Sequence, residues 1–255
     1  MHTTLDIWQW GAVIFAALLV GVSKTGIAGL GILFVAIFAS VLPGVKQASG
    51  VVLPLLITGD VIAVVAYRRH MRWVHFGKLF PWAAIGVLGG WLAMGRIDDR
   101  QARVLTGAII VALTALHVWR RWRASGRAGA GAAGESVAPA WFAPMIGVLA
   151  GFTTLIANAA GPLAVIYFLA MRLPKMEFVG TNAVFFMILN WFKVPFMVSL
   201  GLVNAGSLMF NAMLVPAVLA GAVAGRWILG RINQGVFESV SLTLGALAGL
   251  NLLLR

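Results

Sequence analysis

Apolar runs bounded by glycine, proline and charge recur along the chain near 5–21, 28–42, 49–66, 79–94 and 103–119. They return near 141–157, 160–171, 179–200, 207–224 and 236–254. Most approach the roughly 20 residues that a helix needs to cross the hydrocarbon core of a bilayer. The pattern therefore predicts an all-α integral membrane protein with about 8–10 membrane segments. Segments 28–42 and 160–171 are short for a full span. Each is expected to be one piece of a discontinuous helix, or half of a re-entrant hairpin with the segment before it.

Two polar interruptions stand out within this pattern. Gly-Val-Ser-Lys-Thr-Gly-Ile-Ala-Gly-Leu-Gly occupies 21–31, and Gly-Phe-Thr-Thr-Leu-Ile-Ala-Asn-Ala-Ala-Gly-Pro occupies 151–162. Broken helices expose backbone amides and carbonyls that lipid cannot satisfy, so such breaks persist at membrane depth only where they line a protein cavity or hold a ligand. Matching breaks in two halves of a membrane chain point to a transporter's substrate site.

Composition strengthens the membrane reading. Hydrophobic residues make up 61% of the 255 residues, charged residues 10%, and the mean hydropathy is +0.97. No stretch is polar enough to form a separate soluble domain. There is no cysteine, which excludes disulfides, thiolate metal sites and cysteine nucleophiles. Residues 1–6 hold no basic side chain ahead of the first apolar run, so the first helix is expected to remain in place and not to act as a cleaved leader.

The net charge of +12 is read as topology and not as nucleic-acid binding. Basic residues crowd the loop at 67–78 and the stretch 120–140, which places both in the cytoplasm. By alternation 13 of the 19 basic residues fall inside and 5 outside (Lys46, Arg96, Arg100, Arg103 and Arg255), with Lys193 left in the membrane. The Gly/Ala-rich stretch 120–140 reads as a cytoplasmic linker between a first membrane repeat, 1–119, and a second, 141–255. The halves share a signature: Pro81, Gly86, Gly90, Gly95, Arg96 and Ile97 return 135 residues later as Pro216, Gly221, Gly225, Gly230, Arg231 and Ile232. With 95–103 outside and 225–235 inside, the repeats have inverted topology, a recurrent plan among secondary transporters.

The Gly21–Gly31 stretch, the run Gly59-Asp60-x-x-Ala63-x-x-x-Tyr67-Arg68-Arg69 with Trp73 after it, and Asn190-x-x-Lys193-x-Pro195 resemble the sulfite exporter TauE/SafE family, from about residue 10 to 250. The resemblance implies a transporter of the cell (inner) membrane that moves small sulfur-containing anions such as sulfite or organosulfonates, often outward, without ATP hydrolysis. The chain departs from the family's usual glycine runs, with Ser23-Lys24-Thr25 in one motif and Asn158-Ala159-Ala160 in the other.

The candidate substrate site follows from the breaks. Lys24 places a cation beside half-helix amino termini, and Ser23, Thr25, Thr153, Thr154 and Asn158 supply donors for an oxyanion. Gly26, Gly29, Gly31 and Gly161 would allow the backbone close to a ligand. Each has an alternative reading, such as interfacial snorkelling for Lys24, backbone bonding for the hydroxyls and tight helix packing for the glycines. Asp60 and Lys193 are ionisable residues within apolar runs, and each costs about 2.5–3.5 kcal/mol at a helix centre. They are expected either to form an ion pair, or to divide the work, with Lys193 attracting the anion and Asp60 accepting a coupling proton. Asn190, one turn before Lys193, joins the candidates, whereas His117 and the Trp residues near span ends read as interfacial.

Four histidines form no metal motif, and neither hydrolase nor nucleotide-binding signatures are present. The expectation is a transporter and not an enzyme, without metal or cofactor, meeting membrane lipid, a sulfur anion and protons as coupling ion. A passive anion channel and a non-transporting scaffold are the competing readings.

Overall fold

The computed structural model describes residues 5–27, 30–42, 44–125 and 139–254. Ala28, Gly29 and most of the expected linker lie outside them, as does the side chain of His117. The described residues form ten α-helices, α1 (Ile7–Thr25), α2 (Gly31–Val41), α3 (Val45–Tyr67), α4 (Trp73–Met94) and α5 (Asp99–Ser125), then α6 (Phe142–Ala157), α7 (Gly161–Ala170), α8 (Lys175–Ser199), α9 (Ala205–Arg231) and α10 (Gln234–Leu254). Every apolar run of the sequence corresponds to one helix. The helix α5 continues to Ser125 and takes in the first residues of the stretch read as linker.

Five helices, α1, α3, α4, α8 and α9, are long and apolar enough to cross a membrane, whereas α6 and α7 are shorter. Their outward faces carry Trp8, Val65, Trp73, Trp191, Met209, Val223 and Trp227, all exposed. In a soluble protein such a surface would aggregate; here it suits lipid. The chain is a multi-pass membrane protein.

The halves interlock. α1 packs along α9 and α6 along α4, so the first helix of each half lies against the fourth helix of the other, while α3 meets α8 and α5 meets α10. Glycines make the first two contacts close. A methyl group added at Gly221 would run into the Leu18 carbonyl and one at Gly21 into that of Val218. On the other side, Gly86 abuts the Val148 carbonyl and Gly151 that of Ala83. Small residues that bring helix backbones together are the usual device for packing in lipid, where no hydrophobic force drives helix against helix.

A correspondence that sequence comparison did not reveal ties the halves together. α2 and α7 begin 130 residues apart, as do α3 and α8. Side-chain contacts repeat with the helices. Lys46 Nζ donates to the carbonyls of Met94 (3.0 Å) and Ile97, and Lys175 Nζ donates to those of Leu229 (2.9 Å) and Ile232 (2.6 Å). The backbone amide of Lys46 donates to Asp99 Oδ1 at 3.1 Å and that of Lys175 to Gln234 Oε1 at 2.7 Å. In each half a lysine at the start of the third helix thus satisfies orphan carbonyls at the end of the fourth.

Candidate functional site

The first helices stop at the polar breaks. The α1 end is held by Tyr67, whose hydroxyl donates to the Thr25 carbonyl at 2.9 Å. Thr25 turns its own hydroxyl toward α9, donating to the Ala222 carbonyl at 2.7 Å. The α6 end is closed by Asn158 in the left-handed region, with φ 49° and ψ 32°, a conformation that Asn tolerates better than most residues. Asn158 Nδ2 donates to the Ser49 carbonyl at 2.7 Å, and Ser49 Oγ donates back to the Leu155 carbonyl at 3.0 Å. That reciprocal pair fastens the second break to α3.

Between the breaks lies a cavity of about 40 Å³, room for a few non-hydrogen atoms. Its polar wall comprises Ser23 and Lys24 from α1, Thr154 and Asn158 at the end of α6, and Asn182 and Asn190 from α8. Gly31 and Gly161 open onto it as the first residues of α2 and α7, and Phe34, Leu56 and Phe186 complete it. Among the described residues neither α2 nor α7 receives a side-chain cap at its amino terminus, so two helix ends with partial positive charge border the same space, although Pro162 leaves α7 one amide donor fewer. The lining mixes the halves at matching positions: Gly31 with Gly161, Lys24 with Thr154 and Leu56 with Phe186, each pair 130 residues apart.

Two buried clusters lie beside the cavity. Lys24 Nζ is 2.7 Å from Asp60 Oδ1, and the Asp60 side chain is fully buried. Asn190 Nδ2 donates to the other carboxylate oxygen at 2.6 Å. Lys24 also sits 4.6 Å from the centre of the Phe186 ring, within reach of its π face. In the second cluster the ammonium of Lys193, also fully buried, donates to the Thr154 carbonyl (3.2 Å), Thr154 Oγ1 (3.0 Å) and Asn158 Oδ1 (2.7 Å). All three of its protons find neutral acceptors. Among the described residues Lys193 forms no ion pair.

A family described as Sulfite exporter TauE/SafE matches residues 13–252 of the chain. The chain belongs to this family. Comparison with curated proteins finds no match, and comparison with solved structures finds none either. TauE/SafE proteins are membrane transporters of sulfur compounds and not enzymes, which agrees with the several apolar helices described above.

In this TauE/SafE chain the residues singled out from sequence divide by position. Ser23, Lys24, Thr154, Asn158, Gly161 and Asn190 line the cavity. Thr25 does not, because its hydroxyl is engaged with α9 and with the Gly21 carbonyl. Thr153 turns back onto its own helix, donating to the Leu149 carbonyl at 2.8 Å. Gly26 is a packing residue pressed against Gly225. Of the two readings offered for Asp60 and Lys193, the ion pair between them is not formed. Asp60 is claimed by Lys24, which reaches it from the break, and Lys193 stands behind Thr154 and Asn158, outside the cavity lining. Sequence reading passed over Phe34, Leu56 and Phe186, because apolar residues in a membrane helix carry no signal that separates a cavity wall from a lipid face.

Away from the cavity, Arg72 Nε donates to Glu177 Oε2 at 2.7 Å, joining the turn after α3 to the start of α8. Hydrogen bonding to Glu177 raises the pKa of the Arg72 guanidinium above its ordinary value. The Arg72 backbone amide adds a bond to Thr181 Oγ1 at 3.0 Å.

Proposed function

We propose that this protein is a secondary transporter, working as an exporter, for sulfite-sized sulfur oxyanions, and that the cavity between the two breaks is its substrate site. The observation that carries the reading is the lining itself: Lys24, the hydroxyls of Ser23 and Thr154, and the uncapped amino termini of α2 and α7 converge on one small space. Cations, hydroxyl donors and helix amino termini in a water-poor setting favour a small anion.

On this reading the halves are inverted-topology repeats, 1–119 and 141–255, in the cell membrane with the stretch 120–140 in the cytoplasm, and the breaks are the discontinuous elements around which access alternates. The matching helix starts, the paired Lys46 and Lys175 contacts and the cavity lining drawn from matching positions support it. The proton gradient supplies the coupling, with Asp60 as the group that takes up the proton. A channel would need a continuous water path, whereas here Lys24, Asp60, Asn190 and Phe186 pack together at one side of the cavity.

The test is sulfite flux into proteoliposomes holding the purified protein, with a pH gradient applied or collapsed and with sulfate and taurine as competitors. Saturable flux that follows the gradient is expected. Flux that is unsaturable and indifferent to the gradient would favour the channel, and absence of flux for every small anion would favour a scaffold.

A further inference from the structure

We infer that the cavity selects a singly charged sulfur oxyanion that itself donates a hydrogen bond, hydrogensulfite in preference to the sulfite dianion or sulfate. The inference rests on the reading of this cavity as the substrate site.

The first argument is charge. The buried groups at the site are Lys24, Lys193 and Asp60, formally two positive charges and one negative, leaving a single positive charge. α2, α6 and α7 add only neutral residues to the lining, and the partial positive charges of the α2 and α7 amino termini are offset by the partial negative charges of the α1 and α6 carboxyl termini at the same breaks. A monoanion brings the cluster to neutrality. A dianion would leave a net negative charge in a medium of low dielectric, where uncompensated charge is expensive.

The second argument is independent and comes from Asn190. This side chain is fully buried, lines the cavity, and has one polar atom, Oδ1, with no hydrogen-bond partner among the described residues. While Asp60 is ionised and paired with Lys24 the amide orientation is set, because Nδ2 faces a carboxylate that accepts. A buried acceptor left unmade costs free energy until a donor arrives. A fully deprotonated oxyanion has no donor and would set lone pair against lone pair there. Hydrogensulfite has a hydroxyl, which can donate to Asn190 Oδ1 while its remaining oxygens accept from Lys24, Ser23 and Thr154. The site thus asks for acceptors on one side of the ligand and a donor on the other.

The measurement is calorimetric binding to the purified full-length protein at one mildly acidic pH, where sulfite is mostly hydrogensulfite. Methanesulfonate, a monoanion with a methyl group in place of the hydroxyl, and sulfate, a dianion, serve as comparison ligands. Hydrogensulfite is expected to bind on the order of tenfold more tightly than methanesulfonate, and sulfate most weakly. Asn190→Leu, close in shape but without the acceptor, should bring the ratio between the first two toward one. Methanesulfonate binding as tightly as hydrogensulfite, sulfate binding more tightly than either, or no binding of any of the three would overturn the inference. The wild-type comparison decides even if the variant does not fold. Hydrogensulfite preference without flux in proteoliposomes would sink the transport reading and leave this one standing; flux with no preference would do the reverse.

Discussion

Asp60 and Asn190 hold the same position in their helices, each sixteenth from the start of α3 and α8, and they are bonded to each other at 2.6 Å. The contact joins the two halves at a place where a residue of the first half meets its own counterpart in the second. The counterparts differ in charge, and so do Lys24 and Thr154, which stand at matching points on α1 and α6. The pocket therefore draws on matching positions of the two halves but not on matching chemistry, with the acid and the cation that holds it both contributed by the first half.

Removing the cation should expose what the pair contributes. Lys24→Met leaves the Asp60 carboxylate buried without its partner, and the loss of one member of a buried pair costs about 3–5 kcal/mol. Thermal unfolding in detergent should fall accordingly. Adding Asp60→Leu should restore much of that stability without restoring sulfite binding. Equal stability of the single variant and the wild type would count against a buried pair.

Asp60→Asn addresses coupling directly. Proton-driven accumulation of sulfite in proteoliposomes should disappear while exchange of labelled for unlabelled sulfite persists. Loss of both activities would contradict a role confined to the proton.

Lys193 stands behind the cavity, so its removal should act through the residues that it holds. Lys193→Met frees Thr154 and Asn158, and sulfite affinity is expected to drop on the order of tenfold, the worth of one or two charge-assisted hydrogen bonds. Thr154→Val in the Lys193→Met background should then add little, because coupled residues are not additive. Full additivity in a double-mutant cycle would show that Lys193 does not work through Thr154.

Alanine at glycine positions gives opposite signs at different places in the bundle. In an exposed helix interior, alanine is favoured over glycine by about 1 kcal/mol, and Gly11 and Gly89 have open space around them. Gly11→Ala and Gly89→Ala should leave melting temperatures unchanged or slightly raised. Gly86→Ala and Gly221→Ala drive a methyl group into a backbone carbonyl of the neighbouring helix, and overpacking of this kind costs about 1–3 kcal/mol or more. Both should unfold at lower temperature.

The helices were legible because an apolar run in a membrane chain has few alternatives, and the two breaks were legible because polar residues there need a reason. Which break residues face the cavity was not. Ser23, Lys24 and Thr25 are consecutive, and one step along a helix end decides between the cavity and α9. Only the packing of Gly21 and Gly26 against α9 fixes that rotation. The partner of Asp60 was not legible either: register from the helix starts makes Asn190 its counterpart, and nothing in the spacing of Lys24 and Asp60 announces their contact. The repeat was read from the fourth helices, where glycines needed for close packing are kept in both halves. The breaks keep too few identities to align.

The crossing of first helices onto the fourth helices of the opposite half carries a consequence for how the chain comes to be. α1 emerges from the ribosome long before α9, the partner whose backbone it must touch at Gly221, and so waits in lipid with its glycine face uncovered. Neither half can complete itself during synthesis. Conversely, a chain severed between Ser125 and Pro139 loses no described contact, and its two pieces, made together in one cell, should find each other and assemble like clasped hands.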